Sequence, residues 1–328
     1  MTRILVVGGA GYIGSHMVKA LDRAGYEPVV LDNLSTGYAD AVRYGELVRG
    51  DLGDPALLDD LLGEGGIQGV MHFAAFSLVG ESVEDPGKYY RNNVAATLTL
   101  LEAMARHRVP AFIFSSTAAV YGEPDYTPID EDHPVRPINP YGASKWMVER
   151  MLADFDAAHG LRSVSLRYFN AAGADPEGEM GERHDPETHL IPIVLQAASG
   201  RRNSVAVNGR DYPTEDGTCV RDFIHVTDLC DAHLKALEHL LAGGGSRTYN
   251  LGTGSGYSVA QLIDTARSVT GRKIEVENGP RRPGDPARLV ADSRRAVAEL
   301  GWRPRQDLTA IVRDAWGWEQ RLAEAQGL

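Results

Sequence analysis

The stretch ILVVGGAGYIGSH, residues 4–16, decides the fold. Ile4 to Val7 read as a buried strand. Gly8, Gly11 and Gly14 follow in a G-x-x-G-x-x-G pattern, and a helix is expected to open at the last of them. Glycine in a strand-to-helix turn lets backbone N–H groups approach a pyrophosphate, and the helix N-terminus adds the positive end of its dipole. Tyr12 and Ile13 lie inside the same turn and are expected to share that contact. Glycines after a strand are often only a turn, so the neighbouring residues matter. Asp32, in LDNLSTG (residues 31–37), ends the next strand near the position where an acid takes the adenosine ribose hydroxyls. An acid there repels a 2′-phosphate, which favours NAD over NADP. Asn33 beside it joins the same set.

Outward from this turn, short apolar runs alternate with helical patterns. Strands are expected at Ile4 to Val7, Pro28 to Leu31, Glu46 to Val48, Val70 to Phe73, Phe112 to Ser115 and Ser163 to Leu166. Helices are expected between them, including 86–107 and 141–159. Such alternation predicts an α/β fold: a doubly wound parallel sheet covered on both faces, with its ligand at the carboxyl ends of the strands. Asp51 and Leu52 follow the third strand and are placed to flank the adenine. Phe73 and Ala74 lie at the end of the fourth and are placed along the cofactor's sugar side.

Beyond about residue 170 the texture changes. Residues 170–192, NAAGADPEGEMGERHDPETHLIP, read as a long functional loop. Helices are expected at 190–198, 226–241, 259–270 and 308–323, mixed with short strands, and RTYNLGTG (247–254) reads as a strand returning to the main sheet. The expected division is a Rossmann-type NAD-binding domain at 1–175, with a returning segment near 222–252, and a smaller α/β C-terminal substrate domain at 176–328.

A second constellation assigns a use to the dinucleotide. PYGASKWMVER (140–150) places Lys145 four residues after Tyr141, on one helix face. A tyrosine with an ordinary pKa near 10 is a poor base at neutral pH, and lowering it by about three units takes roughly 4 kcal/mol of phenolate stabilisation. A neighbouring lysine and the cationic oxidised nicotinamide both act in that direction. In FIFSSTAAVYG (112–122), Ser115, Ser116 and Thr117 put hydroxyls at a strand's carboxyl end, and Thr117 is the expected hydroxyl for the substrate oxygen. The pattern points to hydride chemistry on an alcohol. Tyr121 reads as core.

The bulk properties narrow the rest. The chain has 328 residues, 43% of them hydrophobic, and a formal net charge of -12 with no basic stripe, which disfavours nucleic acid. Its two cysteines, Cys219 and Cys230, make neither a disulfide framework nor a metal spacing, so no metal is expected. The opening MTRILVVGG leaves no room for a signal peptide, and no apolar run approaches the roughly 20 residues of a membrane helix. A soluble cytoplasmic protein is expected.

The chain resembles the UDP-galactose (UDP-glucose) 4-epimerases of the extended short-chain dehydrogenase/reductase family. The resemblance spans nearly its whole length and rests on GGAGYIGSH, LDNLSTG, HFAA with VGES, YYRNNV, SSTAAVYGEP, NPYGASK, LRYFNAAGA, YNLGTG and RRPGD. Most specific is GRDYPTEDGTCVRDFIHVTDL, residues 209–229. The resemblance implies that Tyr141 takes the proton of the sugar 4-hydroxyl through Thr117, that NAD accepts and returns the C4 hydride, and that a 4-keto sugar turns over in between. It implies a homodimer built on helices 86–107 and 141–159. It assigns Asn92 and Phe169 to the cofactor, with Phe169 by the nicotinamide. Asn170, Arg221 and Arg282 go to the diphosphate, Asp285 to the uridine ribose, and His189, Leu190 and Leu289 to the substrate. Asp222 and His225 are expected to be structural partners.

Some positions depart from the family pattern. Thr117 stands where many members have serine, Ser77 where some have a cofactor-side lysine, and His189 where others have asparagine. Leu289 stands where some members place a bulky tyrosine beside the sugar, and the smaller residue implies room for an N-acetyl group. Rival readings are a 4-epimerase of another UDP-sugar, such as a UDP-N-acetylhexosamine or the xylose/arabinose pair, a 4,6-dehydratase, and a non-catalytic NAD sensor. The dehydratase needs an acid pair after the threonine, where this chain has Ala118 and Ala119. The sensor has no use for Tyr141 and Lys145.

Overall fold

The computed structural model describes residues 1–282 and 285–327. Seven parallel strands form the central sheet. β1 (Arg3–Val7) lies in the middle, flanked on one side by β2 (Glu27–Asp32) and β3 (Glu46–Arg49). On its other side stand β4 (Ile67–His72), β5 (Ala111–Thr117), β6 (Arg162–Tyr168) and the strand Arg247–Leu251. The chain leaves β1 in one direction for β2 and later in the other for β4. That reversal opens a crevice at the carboxyl ends of β1 and β4. The returning strand pairs with β6 in parallel, Tyr249 opposite Leu166.

Alternation along the strands feeds two cores. Ile4, Val6, Val30, Met71 and Ile113 face one side, where they meet the helices Tyr12–Arg23 and Val226–Leu241. Leu5, Val7, Val29, Val70 and Phe112 face the other, against the helices Pro55–Gly63, Thr97–His107 and Pro140–His159. Each fully buried leucine or valine contributes roughly 1.5–3 kcal/mol. A third core joins the helices Leu190–Ser199, Val259–Thr270 and Leu308–Ala325 to strand Val205–Asn208, which pairs in parallel with Val276–Gly279.

The stretch expected as one helix over 86–107 is more complex. Regular turns at Pro86–Tyr89 and Thr97–His107 flank a wider π-type segment, Tyr90–Ala96. Such an inserted residue re-aims side chains locally and is common beside functional sites. Here it turns Asn93 inward to donate to the Phe76 carbonyl at 3.0 Å and to Ser144 Oγ at 3.1 Å. A short helix at Val79–Glu84 was not expected from the sequence.

Burial holds three histidines neutral: His16 is pushed down to about 4, His72 to about 3 and His233 to about 4. Their folded pKa values lie below the unfolded one, so the native state binds fewer protons. Their stabilisation is complete above about pH 6.5 and is lost as pH falls toward 4. Each steepens the acid limb by about 1.4 kcal/mol per pH unit. His16→Leu is therefore expected to flatten unfolding free energy against pH by one proton between pH 6 and 4.5, measured by denaturant titration. An unchanged slope contradicts the assignment.

Candidate active site

Gly8 sits at φ +81°, and a Cβ there would stand 2.5 Å from the Ala74 backbone N. The missing side chain is what lets the turn after β1 lie against the end of β4, next to Phe73 and Ala74. At Gly14 a Cβ would meet the Gly8 carbonyl at 2.1 Å, so the helix packs directly on that turn. The helix N-cap, Gly11, offers no side-chain cap, and its first turn holds no acid. A Cβ on Gly11 would touch only the Gly8 oxygen, at 3.4 Å. Uncapped N–H groups facing open space fit a pyrophosphate. Tyr12 and Ile13 begin this helix, and the Tyr12 hydroxyl donates to the Gly173 carbonyl at 2.7 Å.

Asp32 closes β2 in a buried position. Its carboxylate accepts from Ala10 N at 2.9 Å and Leu34 N at 2.8 Å. Each oxygen keeps a lone pair free for a ribose hydroxyl. Asn33 donates to Asp51 at 2.8 Å on the exposed rim. Asp51 and Asn92 line one cleft of about 510 Å³ beside Phe76. Leu52 puts most of its side chain into the core with Leu31 and Leu58, at 6% exposure. Ser77 is exposed. The residues gathered along this edge suit NAD.

Thr117 ends β5, and its Oγ1 accepts from Ala119 N at 3.1 Å. The helix Pro140–His159 starts against that turn. Asn139 caps it by accepting from Gly142 N at 2.8 Å. A Cβ on Gly142 would lie 2.4 Å from the Ala119 oxygen, so this close approach sets Tyr141 beside Thr117. Ser116 is turned elsewhere, donating to Glu149 Oε1 at 2.5 Å. Ser115 points to His233 Nε2, 3.0 Å away.

The buried Lys145 donates to the Ser115 carbonyl at 2.8 Å and sits 4.8 Å from the Phe114 ring centroid. Burial pulls it down to about 7, against the upward pull of the Glu149 charge. The Tyr141 phenol lies above its ordinary value because burial outweighs the lowering effect of the Thr117 hydroxyl. The sequence reading expected Lys145 to lower Tyr141. The polypeptide by itself does not do so, since burial disfavours the charged form of both groups and the lysine is spent on a carbonyl. Glu149 was missed. It lies four residues beyond Lys145 on the same helix stripe, a spacing visible in the sequence. It also forms a buried fork with Arg167, at 3.0 and 2.5 Å.

Arg221, Asp285 and Leu289 come together. The strand Arg288–Leu289 runs parallel to Val220–Arg221, with Leu289 opposite Arg221. Arg221 donates to Asp285 and, at 2.9 Å, to the Pro286 carbonyl. Asn170 begins a short strand paired with Phe223–His225 and donates to the Asp222 carbonyl at 3.0 Å. Phe169 and Leu289 pack on the same cluster of Val120, Tyr121 and Ile129. Arg282 instead lies against the Asn208 side-chain amide, and with that amide turned over its oxygen accepts from the guanidinium at 3.1 and 3.2 Å. His189 stands at the N-cap position of the helix Leu190–Ser199 without a side-chain capping bond, and its Nδ1 faces Glu182.

Three residues read as structural behave as such. Asp222 accepts from Thr253 N, Gly254 N and Ala291 N. His225 caps the helix Val226–Leu241 by accepting from Thr227 N at 3.1 Å. Tyr121 is core, its hydroxyl donating to Asn250 at 2.7 Å.

A parallel sheet ordered this way, with a glycine turn at its switch point and a Tyr–Lys helix at its edge, defines a dinucleotide-binding enzyme of the Rossmann type. More narrowly, the chain belongs to the NAD dependent epimerase/dehydratase family, whose profile matches residues 4–252. It is 53% identical to the UDP-glucose 4-epimerase of Rhizobium meliloti (strain 1021) over 318 residues, 97% of either protein. It superimposes on the crystal structure of UDP-glucose 4-epimerase from Brucella ovis in complex with NAD with a TM-score of 0.95, at 52% identity over 96% of this chain and 98% of that one. The UDP-Glc/GlcNAc 4-epimerase from Campylobacter jejuni is 41% identical, with a TM-score of 0.86, over 98% of this chain and 100% of that one.

Proposed function

We propose that the chain is an NAD-dependent 4-epimerase that interconverts UDP-galactose and UDP-glucose through a 4-keto sugar. The observation that carries this reading is the meeting of Tyr141 with Thr117 at the end of β5, Tyr141 standing on the helix that also carries the buried Lys145. Gly8, Gly11, Tyr12, Ile13, Gly14, Asp32 and Asn33 hold the dinucleotide's phosphates and adenosine, and Asp51, Leu52 and Asn92 flank it. Phe73, Ala74, Lys145 and Phe169 line its nicotinamide half. When bound, NAD supplies the carbon that accepts and returns hydride and, in oxidised form, a positive charge near Tyr141.

Tyr141 takes the proton of the sugar 4-hydroxyl, relayed by Thr117, and returns it after the keto sugar has presented its other face. The phenolate is favoured by the positive charge that oxidised NAD brings when bound, with the Lys145 side chain on the same helix face adding to it in its protonated form. Asn170, Arg221, Arg282 and His189 grip the diphosphate and Asp285 the uridine ribose, leaving the sugar free to turn. Arginine forks suit that grip. The purified protein, with no NAD added, is expected to convert UDP-galactose into UDP-glucose on chromatography. No conversion, with or without added NAD, refutes the reading.

Leu289 and Leu190 border the sugar in this account. Leucine at 289 leaves more room than tyrosine, so UDP-N-acetylglucosamine is expected to be a substrate. Leu289→Tyr is expected to lower its kcat/KM by about tenfold or more, a loss on the scale of one pocket contact, while UDP-galactose turnover persists. Equal losses on both sugars contradict the placement. We also propose a homodimer through the helices around 86–107 and 140–159. Support comes from Tyr90, Leu98 and Met147, apolar side chains exposed on them at 37%, 37% and 43%. No helix among the described residues is long and apolar enough to cross a membrane.

A further inference from the structure

The loop before the helix Leu190–Ser199 gathers Glu182, His184, Glu187 and His189, whose ligand-type atoms all lie within 4.8 Å of one another. Both glutamate side chains are almost fully buried, at 6% and 5% exposure. His184 Nδ1 lies 3.4 Å from Glu182 Oε1 and 3.5 Å from Glu187 Oε2. His189 Nδ1 lies 3.9 Å from Glu187 Oε1 and directly against Glu182 Oε1. The two rings stand nearly perpendicular, at 84°, with centroids 5.1 Å apart.

The two His184–glutamate separations are long for charge-assisted hydrogen bonds, which run about 2.7–2.9 Å, and are close to the edge of a tetrahedron, about 3.3–3.4 Å, drawn around a cation with ligands at about 2.0–2.1 Å. His189 Nδ1 instead makes a direct hydrogen bond to Glu182 and stands 3.9 Å from Glu187, so an ion would replace that bond and draw the four groups together. His184 Nδ1 is itself buried and makes no hydrogen bond. A second observation thus points into the same space as the carboxylates. Charge balance agrees: two buried carboxylates and two neutral imidazoles are neutralised by one divalent cation.

We propose that Glu182, His184, Glu187 and His189 form a tetrahedral site for a divalent transition metal, zinc by preference. Two imidazole nitrogens and two carboxylate oxygens are borderline ligands that suit zinc and disfavour magnesium or calcium. The sequence reading looked for metal spacing only among the cysteines, whereas here three ligands come from HDPETH within the loop and the fourth, Glu182, stands two residues before it. The site is structural in position. The Glu182 carbonyl accepts from Trp318 Nε1 at 3.0 Å, His189 holds the N-cap position of the helix Leu190–Ser199, and His184 lines a groove with Gly11 and Tyr12. A bound ion therefore ties the loop to the helix start beside the cofactor turn. Coordination uses His189 Nδ1 and leaves Nε2 free, so it is compatible with a diphosphate contact.

The test is zinc uptake by the full-length protein after stripping with a chelator, followed by competition with a fluorescent zinc indicator and by mass spectrometry for metal content. The expected result is one zinc per chain, bound at micromolar concentration or tighter, with a rise in Tm. His184→Asn and Glu187→Gln are each expected to weaken uptake by about 100-fold or more, beyond the loss of an outer-sphere partner. Circular dichroism confirms that both variants are folded. No uptake at micromolar zinc, or uptake that both folded variants retain, overturns the proposal and leaves a pair of protonated histidines on two carboxylates. Metal uptake is read without turnover, so its failure is separate from failure of the epimerase reading.

Discussion

Tyr141→Phe is expected to lower kcat for UDP-galactose by about 10³- to 10⁴-fold, near the upper end for a proton-transfer group. That corresponds to about 4–5.5 kcal/mol on the barrier. The substitution removes one oxygen and keeps the ring, which packs edge-on to Tyr89 with centroids 6.5 Å apart. KM, retained NAD and Tm are therefore expected to stay close to native. Only the group that accepts the 4-hydroxyl proton is lost, and Thr117 is too weak a base to replace it. Steady-state kinetics together with NAD content after denaturation separate the cases. A variant holding NAD normally and keeping more than a tenth of native kcat shows that Tyr141 is not the base.

Gly8→Ala is expected to cost about 3 kcal/mol or more, as for overpacking combined with strain, and to abolish retained NAD. The added methyl would stand 2.5 Å from Ala74 N and 2.8 Å from Ala74 Cα, both backbone atoms of the neighbouring strand end. Neither can move without shifting β4. Gly25 supplies the control. Its φ is also +81°, but nothing lies within 4 Å of its would-be Cβ. Gly25→Ala is expected to pay only the left-handed backbone cost, about 1–2 kcal/mol, and to keep its cofactor. Denaturant unfolding and NAD content on both variants check this. Equal losses mean that φ alone matters at Gly8 and that its contact with Ala74 does not.

Much of the fold is legible because its determinants are local. Apolar runs of strand length alternate with helical periodicity, so β1 to β6 fall within a few residues of their expected places. The returning strand Arg247–Leu251 is visible for the same reason. The π-type segment Tyr90–Ala96 is not, because one inserted residue leaves hydrophobic periodicity almost unchanged. Composition gives no warning of it.

The proposed site draws on residues whose chemistry and spacing coincide in the sequence: the glycine turn, Asp32, and Tyr141 with Lys145. Burial is not legible. It raises Tyr141 and pulls Lys145 down to about 7, so in the proposed mechanism the phenolate draws on the charge of bound NAD, which no pair rule supplies. Nor does the sequence show that Leu52, placed by position beside the adenine, also puts most of its side chain into the core. The gathering of Glu182, His184, Glu187 and His189 depends on how a long loop folds back, and loop geometry has no periodic signature.

The central claim is that hydrogen leaves C4 and returns to C4 of the same sugar without meeting solvent. UDP-galactose carrying deuterium at C4, incubated with the native protein in ordinary water, tests it directly by mass spectrometry and NMR of the UDP-glucose formed. The account predicts that the deuterium remains at C4 of the product. Conversion with loss of the deuterium to water contradicts it, because the inversion would then run by proton exchange and Tyr141 would not be serving a hydride transfer.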